Sequence, residues 1–208
     1  PRGQLLGYAN PDWVWGVNNR FTFKNFLFSF QFDGRVGGSL VNYIQRQTFR
    51  GGRHIETVEG VMGEARYQDY LGVKSWVGPG VVETTGNPFQ YDENGNISNY
   101  KDLAFAPNTT KQYLQDWISR YYAPEEANVV SKTFSKLREI VVGYTFPDKM
   151  LGNKKFVQSL SLSFVGRNLL YFSKVKDVDL DQYPGFAAYS NLQTPTTRRY
   201  GFNINIVF

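Results

Sequence analysis

The chain has 208 residues, a net charge of +5, one histidine, no cysteine and 17% aromatic residues. The missing cysteines exclude a disulfide scaffold and thiolate metal sites, and a single histidine excludes a multi-histidine metal centre. Mean hydropathy is −0.41, no run approaches the roughly 20 apolar residues of a membrane helix, and the scattered Lys and Arg, with one small cluster at Arg46, Arg50 and Arg53, give no basic stripe for nucleic acid.

Five strands are predicted. The first runs from about Asp12 to Phe23. Trp13, Trp15, Val17, Phe21 and Phe23 share a face that Asn19 interrupts. Lys24-Asn25 then reads as a two-residue hairpin turn. The second strand, from Phe26 to about Val36, alternates Phe26, Phe28, Phe30 and Phe32 with Leu27, Ser29, Gln31, Asp33 and Arg35. Four phenylalanines on one face are costly in water and favourable in lipid or a protein core.

Residues 37–132 read as a long irregular loop, with turn signals at Gly78-Pro79-Gly80, Asn87-Pro88 and Asn94-Gly95. Within it, Lys111 to Tyr122 has helical spacing through Leu114, Trp117, Ile118 and Tyr121. The third strand, about Thr133 to Phe146, carries Ile140, Val142, Tyr144 and Phe146 on one face. Pro147 to Lys155 is a short polar turn. The fourth strand, Phe156 to Phe172, sets Leu160, Leu162 and Phe164 against Ser159, Ser161 and Ser163. A medium loop, 173–197, leads to the last strand, where Tyr200, Phe202, Ile204, Ile206 and Phe208 oppose Gly201, Asn203 and Asn205.

A period of two with one apolar and one polar face suits a strand between two media. The pattern predicts an all-β fold, an antiparallel transmembrane β-barrel segment with long extracellular loops. Connections after the first four strands run short, long, short and medium. With the terminus in the periplasm, both longer loops fall outside, as expected of such barrels. Five strands cannot close a barrel, for which about eight is the usual minimum. With no initiator Met or leader, the chain is expected to be the interior or C-terminal part of a longer polypeptide.

Several segments resemble one family. Asn10-Pro11-Asp12-Trp13-Val14-Trp15-Gly16, followed by Phe23-Lys24-Asn25-Phe26, resembles the "NPDW-x-WG … YKNF" hairpin of SusC/RagA-type TonB-dependent outer-membrane transporters. Asp33-Gly34-Arg35-Val36-Gly37-Gly38 is similar to the end of that family's next strand. Leu137-Arg138-Glu139-Ile140-Val141-Val142-Gly143-Tyr144-Thr145-Phe146-Pro147 resembles its "LRE-x-x-LGYTFP" strand, and Gly166-Arg167-Asn168-Leu169-Leu170-Tyr171-Phe172 its "G-x-NLFTFS" segment. Thr194 to Phe202 is similar to its final strand, although Thr194-Pro195 stands where Tyr-Pro is common. The ordered set covers all five strands and both long loops.

The resemblance implies the C-terminal strands of a barrel of about 22 strands. A plug domain, a TonB box and the earlier strands would lie outside this sequence. It implies import across the outer membrane of a Gram-negative, Bacteroidetes-like cell. The cargo would be a large nutrient, an oligosaccharide or glycan first and a peptide second, captured with a SusD-like lipoprotein. The TonB–ExbB–ExbD complex would drive transport through the missing N-terminal part. Neither a cofactor nor catalysis is implied. The rival reading from the residues is a soluble all-β carbohydrate-binding module, distinguished by a second layer covering the phenylalanine face.

Trp13, Trp15, Phe26, Phe28, Phe30, Phe32, Tyr144 and Phe146 are the expected girdle and lipid-facing residues. Arg199, Gly201, Ile204, Ile206 and Phe208 look like the strand signal read by the barrel-assembly machinery, since an open-edged amphipathic strand can be captured by strand addition. Loop aromatics Trp76, Tyr91, Tyr100, Trp117, Tyr121 and Tyr122 are candidates for stacking on sugar or meeting the lipoprotein. Tyr91-Asp92-Glu93-Asn94-Gly95-Asn96 has some calcium-loop character but reads better as a hairpin turn. Asp177, Asp179 and Asp181 would share a face to hold a cation, or be solvated loop acids. His54 has no nucleophile motif beside it, and Gly51-Gly52 precedes no phosphate-loop lysine.

Overall fold

The computed structural model describes residues 3–152, 156–194 and 196–208. In chain order the elements are β1 (Trp13–Phe23), β2 (Phe26–Val36), β3 (Ser39–Val41), α1 (Tyr43–Arg50), α2 (Gly60–Tyr70), β4 (Trp76–Val77) and β5 (Val81–Glu83). They continue with β6 (Phe105–Pro107), β7 (Lys111–Gln112), α3 (Leu114–Tyr121), β8 (Val129–Ser131), β9 (Phe134–Thr145), β10 (Ser159–Ser173) and β11 (Arg199–Val207). The chain forms two compact units, one of Tyr8–Leu40 with Val130–Phe208, the other centred on Val41–Val129.

The first unit is an antiparallel sheet in the order β1-β2-β9-β10-β11. Its strands are the five expected ones, each adjacent to its neighbour in chain order once 37–132 is passed over. The hairpin at Lys24-Asn25 has two residues, with Lys24 left-handed (φ 54°). Asn25 ties that turn to the end of β9 through Thr145, at 2.7 and 2.9 Å. β10 begins at Ser159 rather than Phe156; residues 153–155 of the expected Pro147–Lys155 turn lie outside the described residues, as does Pro195.

Register arranges side chains in rows across the sheet. One row runs Phe21, Phe28, Val142, Phe164, Phe202; the next runs Phe23, Phe26, Tyr144, Leu162, Ile204. Nearer the loops come Val17, Phe32, Leu137 and Leu170. These rows make one apolar face across all five strands. Among the described residues nothing covers it: Trp13 is 72% exposed, Phe26 57% and Phe202 76%. Trp15 lies across Gly34, where a Cβ would meet its ring at 2.9 Å and the Phe134 carbonyl at 2.3 Å, so only glycine fits there.

The opposite face is polar, with Thr22, Leu27, Gly143, Ser163 and Asn203 in one row and Asn18, Gln31, Glu139, Arg167 and Arg199 in another. Two irregularities interrupt the ladders, one between Gln31 and Phe32, one between Arg167 and Leu170. Asn168 sits in the second with φ 54°. Bulges re-aim side chains, and here Arg138 is turned onto Asp33.

The second unit corrects the reading of 37–132 as irregular. Its helices enclose a core of Phe49, Ala65, Leu114, Ile118 and Tyr122. The helix expected from Lys111 begins at Leu114, because Lys111–Gln112 is instead a short strand paired with Trp76–Val77. Asp69 fixes that start: its carboxylate accepts from the Leu114 and Gln115 amides, both at 3.0 Å. A carboxylate there satisfies two free helix donors and meets the positive end of the helix dipole. Phe49 stacks on Tyr122 at 4.2 Å and on His54 at 3.9 Å.

Candidate functional site

The polar face is built up at its loop end, where residues 174–194 and 196–198 lie over it as a strap and bury Val178, Leu180 and Tyr183. Two clusters hold this strap. In the first, Arg138 donates from Nε and Nη2 to the Asp33 carboxylate at 2.8 and 2.7 Å. It also donates from Nη1 to Asp181 at 2.8 Å. Lys136, 2% exposed, reaches Asp181 at 3.0 Å and Asp179 at 3.4 Å. Arg35 adds hydrogen bonds to the Tyr183, Leu180 and Asp181 carbonyls. Burial alone would push the Asp181 carboxyl up, but hydrogen bonds from Arg138 and Lys136 outweigh it and hold the group below its ordinary value. The expectation that these aspartates hold a cation or stand in solvent is therefore corrected for Asp179 and Asp181: sheet cations pair with them.

The second cluster is Lys132, just before β9 and fully buried. Its Nζ donates to the carbonyls of Ala9, Pro184, Gly185 and Ala187 at 2.6–3.2 Å. Burial, and then the Arg35 charge, lower its pKa from the ordinary lysine value. Sequence reasoning missed Lys132, Lys136 and Arg138. Strict alternation puts Lys136 and Arg138 on the face of Ile140, Val142 and Tyr144; the register shift beside Phe32 carries them to the polar face, which alternation alone does not show.

Beside the strap the polar face holds a cavity of about 370 Å³ lined by Gln31, Arg138, Glu139, Arg167, Asn168, Thr196 and Arg199. A smaller one of about 190 Å³ includes Lys176, Asp177 and Arg198.

The second unit has its own cleft, about 700 Å³, walled by Trp117 and Tyr121 and edged by Lys74, Lys111, Asp116 and Arg120. Trp117 packs on Tyr121 at 4.8 Å and on Trp76 at 5.2 Å. Of the loop aromatics singled out from sequence, the fold brings Trp76, Trp117 and Tyr121 together. Tyr91 is elsewhere, beside Phe89 in the Asn94-Gly95 hairpin. There the Asp92 carboxylate accepts from the Asn94 and Asn96 amides, so it shapes the turn. Tyr122 is core, and its hydroxyl is pushed up to about 12 by burial and then by Glu56. His54 caps a short 3-10 turn, its Nδ1 accepting from the Glu56 amide.

Trp13, Trp15, Phe26, Phe28, Phe30, Phe32 and Tyr144 share the apolar sheet face. Phe146, just past β9, packs on Tyr144 at 5.2 Å. On β11, Arg199 and Gly201 fall on the polar face, Ile204 and Ile206 on the apolar one. Among the described residues, no three His, Cys, Asp or Glu side chains are grouped to hold a metal.

No protein-family model matches the chain. TonB-dependent receptor P3 of Formosa agariphila is 22% identical over 203 residues, covering 98% of this chain and 15% of that protein. Solved structures of the RagAB peptide importer, in closed-closed and open-open states, superpose with TM-scores of 0.55 and 0.54 at 16% identity. A RagAB peptide transporter structure gives 0.56 at 15%. Each covers 95% of this chain, which spans 17% of theirs. The fold is what these structures share with the chain. The resemblance read from the sequence, to SusC/RagA-type TonB-dependent transporters, is borne out.

Proposed function

We propose that the chain is a wall segment of an outer-membrane, TonB-dependent importer, with its apolar face in lipid and its polar face toward the lumen. The observation that carries this is the uncovered apolar face running through all five strands while the opposite face holds the charges. Water on both sides would leave a large phenylalanine surface exposed. Lipid on one side accounts for it. Each strand is long enough to span: β1 and β2 have 11 residues, β9 12, β10 15 and β11 9, against the about 9–11 needed by a tilted membrane strand. Among the described residues β1 and β11 each pair on one side only. In lipid those edges need further strands, in keeping with a barrel of about 22.

In this reading Trp13 and Trp15 sit in one interfacial girdle, Tyr144 and Phe146 in the other, and Phe26, Phe28, Phe30 and Phe32 meet acyl chains. Loops 37–132 and 173–197 are extracellular. Arg199, Gly201, Ile204, Ile206 and Phe208 serve barrel assembly. The imported nutrient is an oligosaccharide or a peptide, delivered with a SusD-like lipoprotein and driven by TonB–ExbB–ExbD. Trp76, Trp117 and Tyr121 offer a stacking surface to cargo or lipoprotein, with Tyr91 as a separate contact. The test is extraction of the native polypeptide. It should leave membranes only with detergent, migrate differently before and after boiling, and have a mass several times that of this chain. A water-soluble product of this length with no mobility change would overturn the reading.

A further inference from the structure

We propose that the polar face carries an anion-binding subsite, built on Arg167 and Arg199, that takes a carboxylate group of an oligomeric ligand. The inference rests on the reading of this face as the lumen of an importer. Register sets Arg167 directly opposite Arg199. Side chains so placed have Cβ atoms about 4.5–5.5 Å apart, and like charges there destabilise a sheet. Arg167 finds one counter-charge on its other side, donating from Nε to Glu139 at 2.7 Å. Arg199 finds none: among the described residues it donates to Thr197 Oγ1 alone, at 3.4 Å. Arg138 reaches the same cavity with its charge already met by Asp33 and Asp181. The surplus positive charge is therefore localised at Arg199.

Both guanidinium groups remain open to a ligand, with Arg167 59% exposed. The cavity of about 370 Å³ lies within the usual range for small ligands, about 300–1,000 Å³. A guanidinium offers a planar fork of donors that matches a carboxylate. One carboxylate between the two arginines would relieve their repulsion and receive charge-assisted hydrogen bonds from both. Gln31 and Thr196 supply neutral partners beside it. The carboxylate belongs either to a uronic acid or to an acidic peptide residue.

The experiment uses the full-length transporter, purified in detergent and titrated with hexagalacturonate, hexaglutamate and neutral maltohexaose. At least one carboxylated oligomer should bind about 10-fold tighter than maltohexaose, the value of one good charge-assisted contact. Arg199→Gln and Arg167→Gln should each remove that preference. Arg20→Gln, on the polar face of the far-edge strand opposite Ser29, should retain it. Arg199→Lys keeps the charge and retains part of the preference, which separates loss of the subsite from failure to assemble. Equal binding of charged and neutral oligomers, or carboxylate preference intact in Arg199→Gln, overturns the subsite. Which acid binds identifies the source of the carboxylate. Energised uptake is measured separately in cells. Carboxylate binding without uptake would remove the importer and leave the subsite; uptake with no carboxylate preference would do the reverse.

Discussion

Phe30→Arg puts the assignment of the two sheet faces to its hardest test. Phe30 lies near the middle of β2, four residues from Phe26 and six from Val36. At ~3.4 Å per residue it is about 14 Å along the strand from the hairpin end. Its row neighbours are Asn19 and Ile140, and its ring lies 5.9 Å from Phe28 and 6.5 Å from Phe21. An arginine there would have no water, carboxylate or short route to the interface. On the lipid face near the midplane such a change costs about 2–4 kcal/mol, which is about 30- to 700-fold in the folding equilibrium. The matched change is Ser163→Arg on the polar face, flanked by Gly143 and Asn203. There is room and solvent there, so the cost stays within about 0.5 kcal/mol. The assay is refolding of the full-length protein into phospholipid vesicles across a urea series, read as the fraction that keeps its unboiled gel mobility. Equal midpoints for the two variants, or a larger loss for Ser163→Arg, would refute the assignment.

Three further outcomes follow from the strap. Asp181→Asn leaves the buried Lys136 ammonium, among the described residues, with one carboxylate, Asp179 at 3.4 Å, beside the Thr196 hydroxyl at 3.4 Å; it should cost about 3 kcal/mol locally, seen as faster hydrogen exchange across the strap. Because the folded-state pKa of Asp181 is depressed, its stabilisation is complete above the unfolded value of about 3.9 and is lost as pH falls through the folded one. Pepsin should therefore begin to cut the strap as pH drops below about 4, and Asp181→Asn should abolish that dependence. Lys132→Met removes the donor shared by four carbonyls and should cost about 3 kcal/mol, measured as lost amide protection around Pro184–Ala187.

The sheet was legible because alternation is a strong signal when one face must be apolar. The Phe26–Phe32 run placed the start of β2 at Phe26, with its end near Val36, and the two-residue turn fixed its register against β1. The ends of β9 and β10 shifted by one to three residues, because backbone pairing and not composition sets where a strand begins. Residues 37–132 were opaque for a different reason. Their core comes from residues far apart in sequence, Phe49, Ala65 and Leu114 among them, and α1 and α2 are too short to show a long periodic stripe. Lys111–Gln112 has helix-forming residues but is paired as strand with Trp76–Val77. The ion cluster was hidden because its members come from β2, β9 and the strap, and no local pattern joins them.

The polar face is graded along the strands, and the grading explains why the strap sits where it does. Apart from Arg20, rows toward the hairpin end are uncharged, with Thr22, Ser29, Gly143, Ser163, Gly201 and Asn203 among them. Rows toward the loop end carry Asp33, Arg35, Lys136 and Arg138. Charges under a loop must be paired or they lower stability, so the strap can settle only where its aspartates find those cations. Moving it four residues toward the hairpin would set Asp179 and Asp181 over the row of Ser29, Val141, Val165 and Gly201, away from those cations. The same pairing therefore seats the strap and keeps the lower rows uncovered, leaving Arg199, at the border between the two regions, with no carboxylate partner among the described residues.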